Sequence, residues 1–246
     1  MSYEQVSIRT HDGECPAYVF TSSESGRHPA VIFYMDGLGI RSTIFEMGQR
    51  LADHGYVVLV PDLFYRAGPY EALDPKKVFA SGDVRGAIGH LLASTDNRRA
   101  GEDTEAFLAY LDGRADVAGT KVGTTGYCMG GAISLTAAGT YPDRIAAAAS
   151  FHGGNLASDS ELSPHHLASR IAARVYVAGA DHDDSYPPEM AVRLEQALSD
   201  ASVDHRCEIY PEALHGWTMT DFPVYNEAAA ERHWGELVTL FVNTLT

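Results

Sequence analysis

Cys128 stands in the run Gly126-Tyr127-Cys128-Met129-Gly130-Gly131, behind an apolar stretch and ahead of a small-residue, helix-compatible one. The form G-x-C-x-G at a strand-to-helix junction is that of a nucleophile elbow. Its sharp turn lifts the reactive atom above the sheet edge and leaves room only for small residues two before and two after it. A free cysteine is commonly no more than a small buried filler. The flanking glycines set this one apart, and a helix beginning just after it points its positive end at the sulfur, which favours thiolate.

A thiol nucleophile needs a base and a group to orient that base. On this kind of scaffold they follow in the order nucleophile, acid, histidine. Downstream, an apolar run at 174–178 ends in Gly179-Ala180-Asp181, and a second run at 206–210 leads through Pro211-Glu212-Ala213-Leu214 to His215-Gly216. Both positions fall past the carboxyl ends of strands, where open α/β sheets bind their ligands. Among eleven histidines His215 is preferred, with His152 and His182 as rivals, and Asp181 is preferred over Asp183 and Asp184. The cluster His182-Asp183-Asp184 is not read as a metal site, because successive loop residues rarely converge on one ion. The oxyanion of an acyl-transfer intermediate would be held by the Met129 amide and by a second donor from Asp36-Gly37-Leu38-Gly39, for which Gly37 is chosen.

The elements that must position these groups alternate along the chain. Residues 6–9 and 17–20 flank His11-Asp12-Gly13 as an opening hairpin. Continuous apolar runs at 29–35 and 56–60 suit strands buried on both faces. Helices are expected over 42–54, 76–93, 102–111, 129–139, 187–198 and 227–245, and strands over 122–127, 145–151, 174–178 and 206–210. Crossovers of this length imply parallel pairing. The expectation is one α/β-hydrolase domain over 1–246, with a mostly parallel, doubly wound sheet and helices on both faces.

Composition narrows the partners. The chain has 246 residues, 45% hydrophobic and 21% charged, with a net charge of -15 and no long basic cluster. Nucleic acid and anionic membrane are therefore poor partners, and no apolar run is long enough to span a bilayer. Three cysteines without metal or disulfide spacing, and no Cys-x-x-Cys, speak against a thiol redox protein and for a reducing, cytoplasmic setting.

The run at 126–131, with 56–63, Ser150-Phe151-His152-Gly153, Gly179-Ala180-Asp181 and His215-Gly216-Trp217, resembles the dienelactone hydrolase family over nearly the whole chain, from about Pro16 to Phe241. The resemblance implies a cofactor-free hydrolase with a Cys-His-Asp triad, mapped onto Cys128, His215 and Asp181. Its substrate would be a small ester or lactone, and the chain a monomer or small homo-oligomer. The family's founding enzymes carry a glutamate in the oxyanion loop that supports the resting cysteine; Asp36 matches that position, one methylene shorter. Those enzymes also hold a substrate carboxylate with arginines, one shortly after the histidine. Here Gly216-Trp217-Thr218-Met219-Thr220 follows, and no arginine occurs before Arg232. A substrate that is less anionic, or bound through another pocket, is the expectation, with Leu38, His152 and Trp217 as candidate liners. The rival reading is a catalytically idle hydrolase fold that only binds a ligand or partner.

Overall fold

The computed structural model describes residues 3–245. Strands β1 (Glu4–Arg9) and β2 (Glu14–Phe20) form the expected antiparallel hairpin. They are followed by β3 (His28–Tyr34), helix α1 (Ser42–Asp53) and β4 (Val57–Pro61). Helices α2 (Pro75–Ala80), α3 (Val84–Leu92) and α4 (Asn97–Asp112) precede β5 (Val117–Tyr127). Then come α5 (Met129–Thr140), β6 (Ile145–Phe151), β7 (Arg174–Ala180), α6 (Pro188–Asp200), β8 (His205–Tyr210) and α7 (Glu227–Val242).

The sheet has eight strands in the order β1-β2-β4-β3-β5-β6-β7-β8. β2 joins β4 antiparallel, and from β4 to β8 every neighbouring pair is parallel. This is the α/β-hydrolase fold. The central strands are buried on both faces, as their unbroken apolar runs require: Ala30–Tyr34 of β3 and Val57–Val60 of β4 have no more than traces of exposed surface.

Two expected boundaries are corrected. The helix expected over 76–93 is two helices, because Gly82 takes φ +71 and Asp83 caps α3 by accepting from the Gly86 amide at 2.8 Å. The helix expected from residue 102 begins five residues earlier, since Asp96 accepts from the Arg99 amide at 2.9 Å and caps α4. The segment α2–α3 packs about a small apolar cluster of Leu38, Val78 and Ile88, and Leu91 of α3 joins it to the main core.

Candidate active site

The elbow is built by backbone crowding. Cys128 sits at φ 56, ψ -118, a conformation costing a non-glycine residue about 1–3 kcal/mol that the surroundings must enforce. They do so by proximity. A Cβ on Gly126 would lie 1.9 Å from the Gly130 carbonyl oxygen, and one on Gly130 would lie 2.3 Å from the Tyr34 carbonyl oxygen. The Cys128 amide donates to the Phe151 carbonyl and to His152 Nδ1, each at 3.2 Å, which ties the nucleophile's backbone to β6.

Cys128 and His215 line one cavity of about 350 Å³, with Gly37, Met129, Ala132, Ile88, Leu92 and Leu162 among its walls. His215 Nδ1 lies 2.6 Å from Asp183 Oδ2, so Nδ1 carries a proton and Nε2 is left for Cys128. Burial opposes the imidazolium. The Cys128 sulfur and the hydrogen bond to Asp183 outweigh it and push the His215 pKa up to about 10. Burial likewise works to raise the Asp183 pKa, yet His215 and two hydrogen bonds from Ser185 bring it below the ordinary range. Ser185 donates to Asp183 Oδ1 from its amide at 2.8 Å and its hydroxyl at 2.6 Å, and the same hydroxyl oxygen stands 3.2 Å from His215 Nδ1.

The expectation of Asp181 is therefore corrected: the acid on His215 is Asp183. Asp181 follows β7 with its side chain turned aside, where Oδ2 accepts from the Glu212 amide at 3.2 Å. His182 then adopts φ 55, and this left-handed residue swings the chain so that buried Asp183 meets His215. Asp181 still serves the histidine loop, since its amide also donates to the Ala213 carbonyl at 2.7 Å.

Asp36 does not support the sulfur either. Its carboxylate is taken up by the Leu38 amide at 2.8 Å and by Arg41, which donates to Oδ1 at 2.7 Å and to Oδ2 at 2.8 Å. Arg41 also donates from Nε to Asp221 Oδ2 at 2.7 Å. One buried guanidinium thus ties the loop bearing Gly37 to the loop beyond His215. Sequence reasoning missed Arg41; the signal was a lone arginine five residues after the loop aspartate.

Gly37 and Met129 both line the cavity. Met129 is the first residue of α5, so its amide has no intrahelical acceptor. The three expected pocket liners are displaced. Leu38 belongs to the small cluster under α2–α3, and Trp217 is buried against Tyr210, with ring centroids 5.2 Å apart. His152 is fully buried. Its Nδ1 accepts from the Cys128 amide, so Nε2 carries the hydrogen and donates to Thr218 Oγ1 at 2.7 Å. Burial, then nearby His215 and His233, hold it neutral well below the ordinary histidine range. The polar liners that sequence reasoning missed are Asp96, Asn97, Asn155 and Ser185. Among the described residues, neither Arg nor Lys lines this cavity. No helix of the described residues is long and apolar enough to cross a membrane.

The curated relatives include a protein of Pseudomonas putida named carboxymethylenebutenolidase, 27% identical over 94% of this chain and 92% of its own. A protein of Escherichia coli O157:H7 named "Putative carboxymethylenebutenolidase" is 30% identical over 96% of this chain and 84% of its own. In fold, the chain superposes on a crystal structure titled "Putative Dienelactone Hydrolase" from Klebsiella pneumoniae. The TM-score is 0.83 at 23% identity, over 98% of both chains. A dienelactone hydrolase-like promiscuous phosphotriesterase from metagenomic libraries gives 0.79 at 24% identity, covering 100% of this chain and 99% of its own. The family model described as "Dienelactone hydrolase family" matches residues 15–245, and the chain belongs to that family.

Proposed function

We propose that this hydrolase cleaves a small, uncharged ester or lactone through a thioacyl-enzyme formed on Cys128. The observation that carries the reading is the shared cavity of Cys128 and His215, with His215 fixed through Nδ1 by Asp183 at 2.6 Å. The relatives' names supply the bond class, a carboxylic ester or lactone.

The Cys128 thiol passes its proton to His215 Nε2, the resulting thiolate attacks the carbonyl carbon, and the oxyanion is received by the Gly37 and Met129 amides. Collapse of that intermediate breaks the carbon–oxygen bond, and the leaving alkoxide takes the proton from His215. In the second half His215 accepts a proton from water, the hydroxide attacks the thioester, and the acid departs as the thiol is restored. A thiolate is itself a good leaving group, so activated esters and lactones are favoured over amides.

The walls favour an uncharged acyl group. The charged groups lining the cavity are Asp96 and His215, and the remainder is largely aliphatic. A substrate carboxylate would be desolvated beside Asp96 with no arginine to meet it. The test is hydrolysis of p-nitrophenyl acetate and of a panel of neutral and carboxylated lactones by the parent and Cys128→Ala. Turnover by the parent and its loss in Cys128→Ala is the expected result. Equal rates in both overturn the proposal and leave the idle, ligand-binding reading.

A further inference from the structure

A second chemistry-bearing cluster lies at the far edge of the sheet, away from Cys128. His205 and Cys207 are two apart on edge strand β8 and so share a face, and α6 lays Glu195 against them. One ligand atom from each residue lies within 4.8 Å of the other two. The cluster borders a crevice of about 390 Å³ lined by Glu195, Cys207 and Tyr186, which shares no residue with the reaction cavity. We propose that Glu195, His205 and Cys207 form a binding site for a divalent cation of the zinc class.

Hydrogen-bond geometry supports it. His205 Nδ1 lies 2.8 Å from the Val203 carbonyl oxygen, which can only accept, so Nδ1 carries the hydrogen. That leaves the Nε2 lone pair facing Glu195 Oε1 at 3.1 Å, two acceptors aimed at each other in the neutral tautomer. A cation between them resolves the conflict, and an imidazole anchored by Nδ1–H to a backbone carbonyl is the arrangement metal-ligating histidines use. With metal–ligand bonds of about 2.0 Å, two adjacent vertices of a tetrahedron stand about 3.3 Å apart, close to the spacing already present. An independent sign is Tyr186. Its ring is buried in the crevice wall, and its hydroxyl has no hydrogen-bond partner among the described residues. A metal-bound water in the fourth position would give that hydroxyl a partner.

The donor set selects the ion. One carboxylate, one imidazole and one sulfur suit zinc or cobalt and not calcium or magnesium, which take oxygen ligands. On binding, the Cys207 thiol gives its proton to solvent, and Sγ, Nε2 and a carboxylate oxygen each donate a lone pair. The ion would join α6 to the edge strand.

The test uses untagged, full-length Cys128→Ser protein, so that the nucleophile cannot ligate, titrated with cobalt(II) and with zinc. Expected is one cobalt per chain, with a sulfur-to-cobalt charge-transfer band. That band should be lost when Cys207→Ser is added, and Glu195→Gln, half-exposed and tolerant of change, should weaken zinc binding at least tenfold. Circular dichroism confirms that each variant is folded. No band in Cys128→Ser, a band persisting in the double variant, or unchanged zinc affinity in Glu195→Gln would each overturn the assignment.

Discussion

Replacing Asp183 by Asn separates the acid that orients His215 from the neighbouring Asp181. Ser185 fixes the outcome. Its amide and hydroxyl both donate to Asp183 Oδ1, so the amide oxygen of an asparagine would occupy that position and its NH2 group would face His215. Nδ1 would then have to accept, so the imidazolium could form only by losing that contact, and the neutral ring would hold its one hydrogen on Nε2 with no lone pair left to take the Cys128 proton. An ion pair at 2.6 Å is bounded above by about 6 kcal/mol at an effective dielectric near 20. His215 is 30% exposed, and screening reduces the loss to about 3–5 kcal/mol, or 10²–10⁴-fold in kcat/KM. Steady-state hydrolysis of p-nitrophenyl acetate measures this directly. Asp181→Asn keeps an acceptor for the Glu212 amide, and its rate should stay within about threefold of the parent. If Asp181→Asn loses as much activity as Asp183→Asn, the assignment of the acid is wrong.

Three further outcomes follow from the geometry. Gly126→Ala places a Cβ 1.9 Å from a carbonyl oxygen, so it should cost more than about 4 kcal/mol and abolish soluble expression. Arg41→Met leaves two carboxylates without their cation. A loss of about 3–5 kcal/mol in urea unfolding is expected, with a fall in kcat as the Gly37 loop loosens; unchanged stability would refute the clamp. His233 is buried, and burial, partly opposed by its bond to the Ala230 carbonyl, lowers its pKa to about 3. Its unfolded form takes a proton near pH 6.5 while the folded form resists, so stability should fall as pH drops from about 6.5 toward 3. Thermal melts across that range should show a shallower slope in His233→Gln.

The elbow and His215 were legible because their demands are local: small residues around a turn, and a loop after a strand. The sheet was legible for the same reason, since strands buried on both faces show unbroken apolar runs. Asp183 was not. The choice between it and Asp181 turns on one left-handed residue, His182, and a histidine in that conformation leaves no mark in composition or spacing. Asp36 was misassigned because its partner, Arg41, is reached through a loop whose path the sequence does not reveal. The pocket liners failed for a related reason. Trp217 and His152 are near the histidine and the nucleophile along the chain, but they fill the floor behind the reacting groups, while the walls come from α3 and from residues 154–162.

The wall on the α3 side has a consequence for how this enzyme can change. Ile88 and Leu92 face the cavity, and the segment carrying them rests on the small cluster of Leu38, Val78 and Ile88 and is pinned to the main core through Leu91. Replacements there alter what the cavity accepts without disturbing the sheet, the elbow or the histidine loop. Selection can therefore explore new substrates by editing the cavity-facing side of one short helix while the chemical machinery stays unchanged. That separation gives a lineage built on this scaffold a low-risk route to new specificities.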